Sequence, residues 1–116
     1  MSILVVLEQT AGQWHRMSWE TLAAGQQLSA VLGHPVEAAV LGKGLSALTS
    51  EIATRKLTKV WALEHELLET YTADGYTIAV EQLIRAAQPS LVLFPHTYQV
   101  RDFAPKLATQ IGRAHV

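Results

Sequence analysis

The sequence predicts an α/β fold, a parallel sheet assembled from βα units. Two observations predict it. Four short runs, at residues 3–7, 36–41, 60–63 and 91–94, are almost uninterruptedly apolar and carry many β-branched side chains. Such runs suit strands buried on both faces, whereas a strand with one wet face alternates apolar and polar residues. Each run is followed by a stretch whose apolar residues recur at helical spacing, which gives the order βαβαβαβα. Alternation of this kind implies parallel strands joined by right-handed crossovers. A chain of 116 residues, 49% apolar and 16% charged, is sized for one domain with its own core and lacks the composition of a disordered segment.

The opening run, Ile3-Leu4-Val5-Val6-Leu7, has neither the basic start nor the long apolar stretch of a secretory signal, so it is a strand. Residues 8–17 read as a polar loop containing Gly12. Ser18 is the expected N-cap of a first helix that runs to Leu32. Its stripe is Leu22, Gly25, Leu28 or Ser29, and Leu32. Glycine inside a helix costs about 1 kcal/mol relative to alanine, so its place on the stripe points to a close approach to the sheet. Gly33-His34-Pro35 stops the helix with a C-cap glycine and a following proline. The second strand, residues 36–41, leads through Gly42-Lys43-Gly44 into a helix over residues 45–57, with Leu45, Leu48 and Ile52 on one face.

The third strand, residues 60–63, is followed by a polar connection over residues 64–73. Asp74 is the expected N-cap of the third helix. There Tyr76, Ala79, Val80, Leu83, Ile84 and Ala87 fall at i, i+3, i+4, i+7, i+8 and i+11, a full amphipathic pattern ended by Pro89. After the fourth strand, the last helix carries Val100, Phe103, Ala104, Leu107, Ala108 and Ile111 on one face. Pro105 is compatible with it if Asp102 is the N-cap, because proline then falls in the first turn, where N–H groups lack helical partners. Gly112 is expected to close this helix. Arg113-Ala114-His115-Val116 reads as the approach to a fifth strand, so the chain is expected to be part of a longer protein.

Charge and motifs narrow the function. A net charge of −1 gives no electrostatic ground for nucleic acid or an anionic membrane. The absence of cysteine excludes a disulfide framework, thiol catalysis and zinc–thiolate sites. No apolar run approaches the roughly 18 residues of a membrane span, so a cytoplasmic protein without membrane insertion is the default expectation. The five histidines, His15, His34, His65, His96 and His115, include no pair at metal-binding helical spacing and no HExxH, so no metal site is expected. His65 and His96 follow predicted strands and could meet at the sheet edge, but they read as ordinary loop residues.

Gly42-Lys43-Gly44 could turn backbone N–H groups toward an anion. It lacks the GxxxxGK[ST] and GxGxxG spacings and reads as a turn that needs glycine dihedrals. In Arg101-Asp102 the aspartate is expected to cap, and the arginine could pair with a carboxylate, contact a phosphate or hold a neighbouring chain. No serine stands in a GxSxG turn and no catalytic carboxylate pair is evident. Trp14, Trp19 and Trp61 read as core or interface residues. Nothing assembles a reaction centre, and no enzyme is expected.

One segment carries more. Thr97-Tyr98-Gln99-Val100-Arg101-Asp102-Phe103-Ala104-Pro105-Lys106-Leu107-Ala108 resembles the amino-terminal domain of the electron transfer flavoprotein alpha subunit. That family carries a threonine, a short gap often containing glycine, Arg-Asp, an apolar residue, Ala-Pro, a basic residue and Leu-Ala. Here Gln99-Val100 stands where Ser-Gly is frequent, and Lys106 where arginine is frequent. Residues 3–8, 19–28, 40–42 and 71–76 agree with the family in order. The resemblance implies a three-layer α/β sandwich similar to adenine-nucleotide alpha-hydrolase-like domains. It implies a complete protein that is an alpha–beta heterodimer, carrying electrons on FAD from flavin dehydrogenases to a quinone reductase or another acceptor.

The family's FAD site lies mainly in a carboxyl-terminal alpha domain, and its structural AMP, where there is one, in the beta subunit. Residues 1–116 are therefore expected to be an incomplete amino-terminal domain lacking the FAD-binding domain. They would form a non-catalytic scaffold and subunit-interaction domain with no cofactor of its own, FAD belonging to the parent protein. The partners implied are the electron transfer flavoprotein beta subunit and flavin dehydrogenases. No FAD ligand carries over to a residue here. The alternative is a free-standing adenine-nucleotide-binding module of the universal stress protein type. Its ligand would lie at the strand ends near Glu8, Gly42, His65 and His96, with Thr97 and Arg101 beside them. Against it, the glycine-rich phosphate loop such modules carry before the last helix is absent, since residues 97–102 contain no glycine. A small hydrolase ranks last for want of a nucleophile and base. A parallel sheet stopped before its fifth strand would leave an unpaired edge, so a homo-oligomer is expected.

Overall fold

A computed structural model describes residues 1–115, with the backbone alone for residues 113–115. The chain opens with β1 (Ile3–Leu7), then a small antiparallel hairpin of β2 (Gln9–Thr10) and β3 (Gln13–Trp14). Helix α1 (Arg16–Leu32), β4 (Val36–Gly42), α2 (Ser46–Ile52) and β5 (Lys59–Glu64) follow. A single 3₁₀ turn (Glu66–Leu68) precedes α3 (Ala73–Ala87), β6 (Leu91–Leu93) and α4 (Tyr98–His115). The main sheet is wholly parallel, in the order β5-β4-β1-β6. This is the expected α/β architecture.

Strand alternation decides which side chains meet which helices. Leu4 and Val6 of β1 lie on one face with Ala39 and Leu41 of β4, against Val80 and Leu83 of α3 and Phe103 and Leu107 of α4. Ile3, Val5 and Leu7 lie on the other with Val36 and Ala38, against Leu22 of α1 and Ile52 of α2. With helices on both sides, β1 and β4 bury almost every side chain, which is why they read as continuous apolar runs. Gly25 lets α1 lie close on the sheet: a Cβ there would stand 2.6 Å from Val5 Cγ1. Gly33 ends α1 in the left-handed region at φ 72°, its N–H donating to Ser29 O. Leu32, at 48% exposure, falls outside the core stripe.

Several boundaries differ from those expected, each for a local reason. Residues 8–17 are not a plain loop. Ala11 (φ 51°) and Gly12 (φ 81°) make a two-residue turn with both centres left-handed, the geometry that suits the twist of a tight hairpin. The α1 N-cap is His15, whose Nδ1 accepts the Met17 N–H, and not Ser18. Ser18 is buried inside the helix, where its hydroxyl accepts the Glu8 N–H and donates to the Glu8 carbonyl. Helix α2 stops at Ile52 instead of Leu57. Its last turn tightens through Arg55 N–H to Ile52 O, and Lys56 turns to positive φ before β5.

Thr72, not Asp74, caps α3, its Oγ1 accepting the Gly75 N–H, while Asp74 in the first turn pairs with Lys106. Helix α4 begins at Tyr98, with Thr97 Oγ1 accepting the Val100 N–H. Asp102 is therefore inside the helix and not its cap, and Pro105 sits in the helix interior. Gly112 does not close α4. Residues 113–115 continue the helix in place of the expected approach to a strand, and Val116 lies outside the described residues. No helix among the described residues is long and apolar enough to cross a membrane.

Candidate functional site

The order of the sheet runs outward from β1 through β4 to β5, then returns to place β6 on the other side of β1. In open α/β sheets, ligands bind beyond the carboxyl ends of strands at such a reversal. Glu8 follows β1 and Thr97 precedes α4, so topology sets them side by side. The buried Thr97 hydroxyl donates to Glu8 Oε1 at 2.6 Å and accepts the Val100 N–H at 3.2 Å. One oxygen thus starts α4 and ties it to β1. The Glu8 backbone is held in turn by Ser18 and by His15 N–H to Glu8 O at 2.9 Å.

Beneath this link, Gln9, Tyr76, Pro95, Gln99 and Phe103 help to enclose a cavity of about 10 Å³. That is room for roughly one water, whereas small-molecule sites run to hundreds of Å³. A cavity of that size holds neither a flavin nor an adenosine.

The next strand end is also filled by the chain's own groups. Gly42, at φ 152°, lies under the Gln9 amide, which a Cβ at this position would strike. Gln9 donates to Leu41 O and accepts the Gly12 N–H, so it closes the loop over β4. The Leu45 N–H, which an anion at Gly42-Lys43-Gly44 would seek, is bonded to Glu64 Oε1 at 2.9 Å. His65 donates its backbone N–H to Gly42 O, and its exposed ring caps the 3₁₀ turn through Nδ1, which accepts the Leu67 N–H. His96 and Arg101 are exposed and line an open groove beside β6 with Thr97 and Pro105. Arg101 makes no ion pair among the described residues. The structure therefore joins Glu8 to Thr97 and Gly42 to His65, and gathers His96 and Arg101 on an open groove that Thr97 also lines.

Two tyrosines complete this end of the sheet. Neither is a candidate site residue in the sequence, where Tyr71 and Tyr76 bound a segment that agrees with the family and Tyr76 reads as a core position. Tyr71 O–H donates to Asp102 Oδ2 at 2.7 Å, with the Gln99 carbonyl 3.2 Å away. Its ring meets Tyr76 edge-on at 4.8 Å and joins the cluster around Phe103. This is what Asp102 does in place of capping: it pins the segment before α3 to α4. Burial raises the Tyr71 pKa above its ordinary value, helped by the Asp102 hydrogen bond and charge; burial and the Glu8 charge raise that of Tyr76.

A raised tyrosine pKa means that the folded state keeps its proton where the unfolded chain has lost it. The stabilisation is complete below the ordinary value of 10.0 and is lost as pH rises past it toward the folded values. Unfolding midpoints in denaturant should therefore fall as pH rises past about 10. A Tyr71→Phe, Tyr76→Phe chain should lose much of that slope. An equal slope in both proteins would remove the tyrosines as its cause.

Comparison with known proteins places this geometry. A family model described as "Electron transfer flavoprotein domain" matches residues 3–116. The chain is 32% identical over 107 residues to the electron transfer flavoprotein subunit alpha of Syntrophomonas wolfei, an overlap of 92% of this chain and 32% of that protein. It is 30% identical over 109 residues to the Bacillus subtilis electron transfer flavoprotein subunit alpha, covering 94% of this chain and 33% of the relative. Protein FixB of Azotobacter vinelandii is 30% identical over 113 residues, with 95% and 31% covered. The chain spans about a third of the length of these curated relatives. With the match running from the first strand through the last helix, the chain belongs to the electron transfer flavoprotein domain family.

Proposed function

We propose that residues 1–116 act as the amino-terminal scaffold and subunit-interaction domain of an electron transfer flavoprotein alpha subunit, without a reaction of their own. In the complete heterodimer, electrons from flavin dehydrogenases would pass through FAD held by the FAD-binding domain of the parent protein. The beta subunit would be the permanent partner and the dehydrogenases the transient ones, in the cytoplasm. The observation that carries this reading is the strand reversal itself. In a chain that matches the family over residues 3–116, Thr97 bonds to Glu8 across the strand reversal and the space beneath that link is about 10 Å³. A domain with so little space there suits packing and interaction better than chemistry. By itself, with the edges of β5 and β6 unpaired in the sheet, the domain would also associate with further copies.

The test is to denature the purified chain and identify released small molecules by mass spectrometry, then to coexpress it with an electron transfer flavoprotein beta subunit. The expected result is no FAD and no adenine nucleotide from the chain alone, and a stable complex on coexpression. Stoichiometric FAD would overturn the scaffold reading. Stoichiometric AMP or ATP would replace it with the stress-protein type of module, and no complex would remove the interaction role.

A further inference from the structure

We infer that the open face between β5 and α3 is a docking groove for one amphipathic helix of a partner chain, lying antiparallel to β5. This deepens the interaction role proposed above and rests on it. Strand β5 is an edge of the sheet, and its Trp61 and Leu63 turn toward the face that carries α3 and α4. There they stay partly exposed. Ile78, Ala79 and Leu83 of α3 form one wall, and Leu67 of the 3₁₀ turn closes an end. Leu67 is 76% and Ile78 57% exposed, so two large apolar side chains face solvent on one open groove of about 640 Å³. Apolar surface gathered in this way marks an interaction site more often than scattered exposed residues do.

The shape selects a helix. Trp61 and Leu63 line the groove from the sheet face that α3 covers and Ile78, Ala79 and Leu83 line it from α3, so an occupant packs on apolar side chains beside a helix, as a docked helix does. The six residues of β5 span roughly 20 Å, which about 13 helical residues would match. The charges select its direction. At the carboxyl end of β5, Glu64 lines the groove, and the exposed Glu66 and Glu69 follow on the adjoining turn. One Glu64 oxygen is engaged by the Leu45 N–H. At the opposite end, Lys59 Nζ lies 4.1 Å from the Trp61 ring centroid. A helix carries partial positive charge at its N-terminus and negative charge at its C-terminus. It therefore fits with its N-terminus by the carboxylates and its C-terminus by Lys59. Basic side chains in its first turn and apolar anchors at i, i+3 or i+4, and i+7 complete the match.

The test uses a fluorescein-labelled helical peptide with leucines at those spacings, lysines in its first turn and glutamates in its last. A second peptide keeps the apolar face and exchanges the charged ends. Anisotropy titrations should show the first binding at least tenfold more tightly. Leu67→Glu and Ile78→Glu, both surface changes, should each weaken it tenfold or more, while Gln27→Glu on α1 should leave it unchanged. Circular dichroism would confirm that each variant is folded. Equal affinity for both peptides, no binding of either, or full affinity in the two groove variants would overturn the inference. If the peptide fails while the beta subunit still forms a complex, the interaction role stands and this surface for it falls. If neither binds, both fall.

Discussion

Replacing Gly25 by valine is expected to destabilise the domain by about 3 kcal/mol or more, enough to leave a small domain marginally folded. In a helix that packs less closely, the same change would improve helix propensity by a few tenths of a kcal/mol. Here packing decides. The Cβ alone would stand 2.6 Å from Val5 Cγ1, with Val36 Cγ1 at 3.7 Å and Leu93 Cδ1 at 3.8 Å. Val5 is fully buried and β-branched, so it has few rotamers into which to retreat. The two further methyl groups of valine would press toward side chains from β1, β4 and β6, so that α1 must lift from the sheet.

Gly25→Ala is the graded version. About 1 kcal/mol of helix propensity is gained against an overpacking cost of about 1–3 kcal/mol, which leaves a net loss of up to about 2 kcal/mol. Pairing Gly25→Ala with Val5→Ala should cost less than the sum of the two single changes, because the truncation opens the space that the new methyl needs. Urea unfolding of the four proteins in this cycle measures it. A Gly25→Ala chain about 1 kcal/mol more stable than the parent would show that α1 does not lie tightly on β1.

This close contact was legible in the sequence, and so was most of the scaffold. Residues 3–7 and 36–41 announce strands because a sheet covered on both faces needs apolar side chains at every position. Helix α3 announces itself because its partners all lie on one side. What stayed hidden depends on contacts between distant residues or on uncommon local chemistry. The hairpin at Gln9–Trp14 has two residues per strand, too few for alternation to register, and its turn places an alanine where asparagine or aspartate would be the usual signal. His15 caps through a ring nitrogen, so Ser18, the standard cap residue nearby, draws the expected start of α1 away, and the 3₁₀ turn that His65 caps in the same way carries no standard cap signal.

Pro105 gives a false boundary signal of the same kind. Proline is rare inside a helix, so the helix was expected to start at Asp102, whereas Thr97 starts it five residues earlier. Of the strand-end residues, Glu8 and Thr97 are candidates by position alone. Their pairing follows only from β1 and β6 being neighbours, which no local pattern encodes. The groove over β5 was not legible, because whether Trp61 and Leu63 are covered depends on where α3 settles.

Thr97→Val should cost about 2–4 kcal/mol, a large effect for a substitution that barely changes volume. The hydroxyl has two tasks that a methyl cannot perform. Losing the cap on the Val100 N–H costs about 1 kcal/mol, the usual value for an N-cap threonine. Losing the 2.6 Å hydrogen bond to Glu8 removes a charge-assisted contact worth about 1.5–3 kcal/mol. Glu8 is only partly buried, and water can replace some of that bond, which keeps the total below the simple sum.

Thr97→Ser separates chemistry from shape. It retains both hydrogen bonds and should lose less than about 1 kcal/mol, the value of one buried methyl group. Glu8→Ala and the Glu8→Ala, Thr97→Val double variant complete a cycle, alanine being used because a glutamine amide oxygen would still accept the Thr97 hydroxyl. Because the two residues lie 89 positions apart and meet only through this contact, their coupling reads the tie between β1 and α4 directly. A coupling above about 1 kcal/mol is expected in urea unfolding. Additive losses would mean that Thr97 serves only to start α4, and that the strand reversal is held closed by the packing of Tyr76, Pro95 and Phe103.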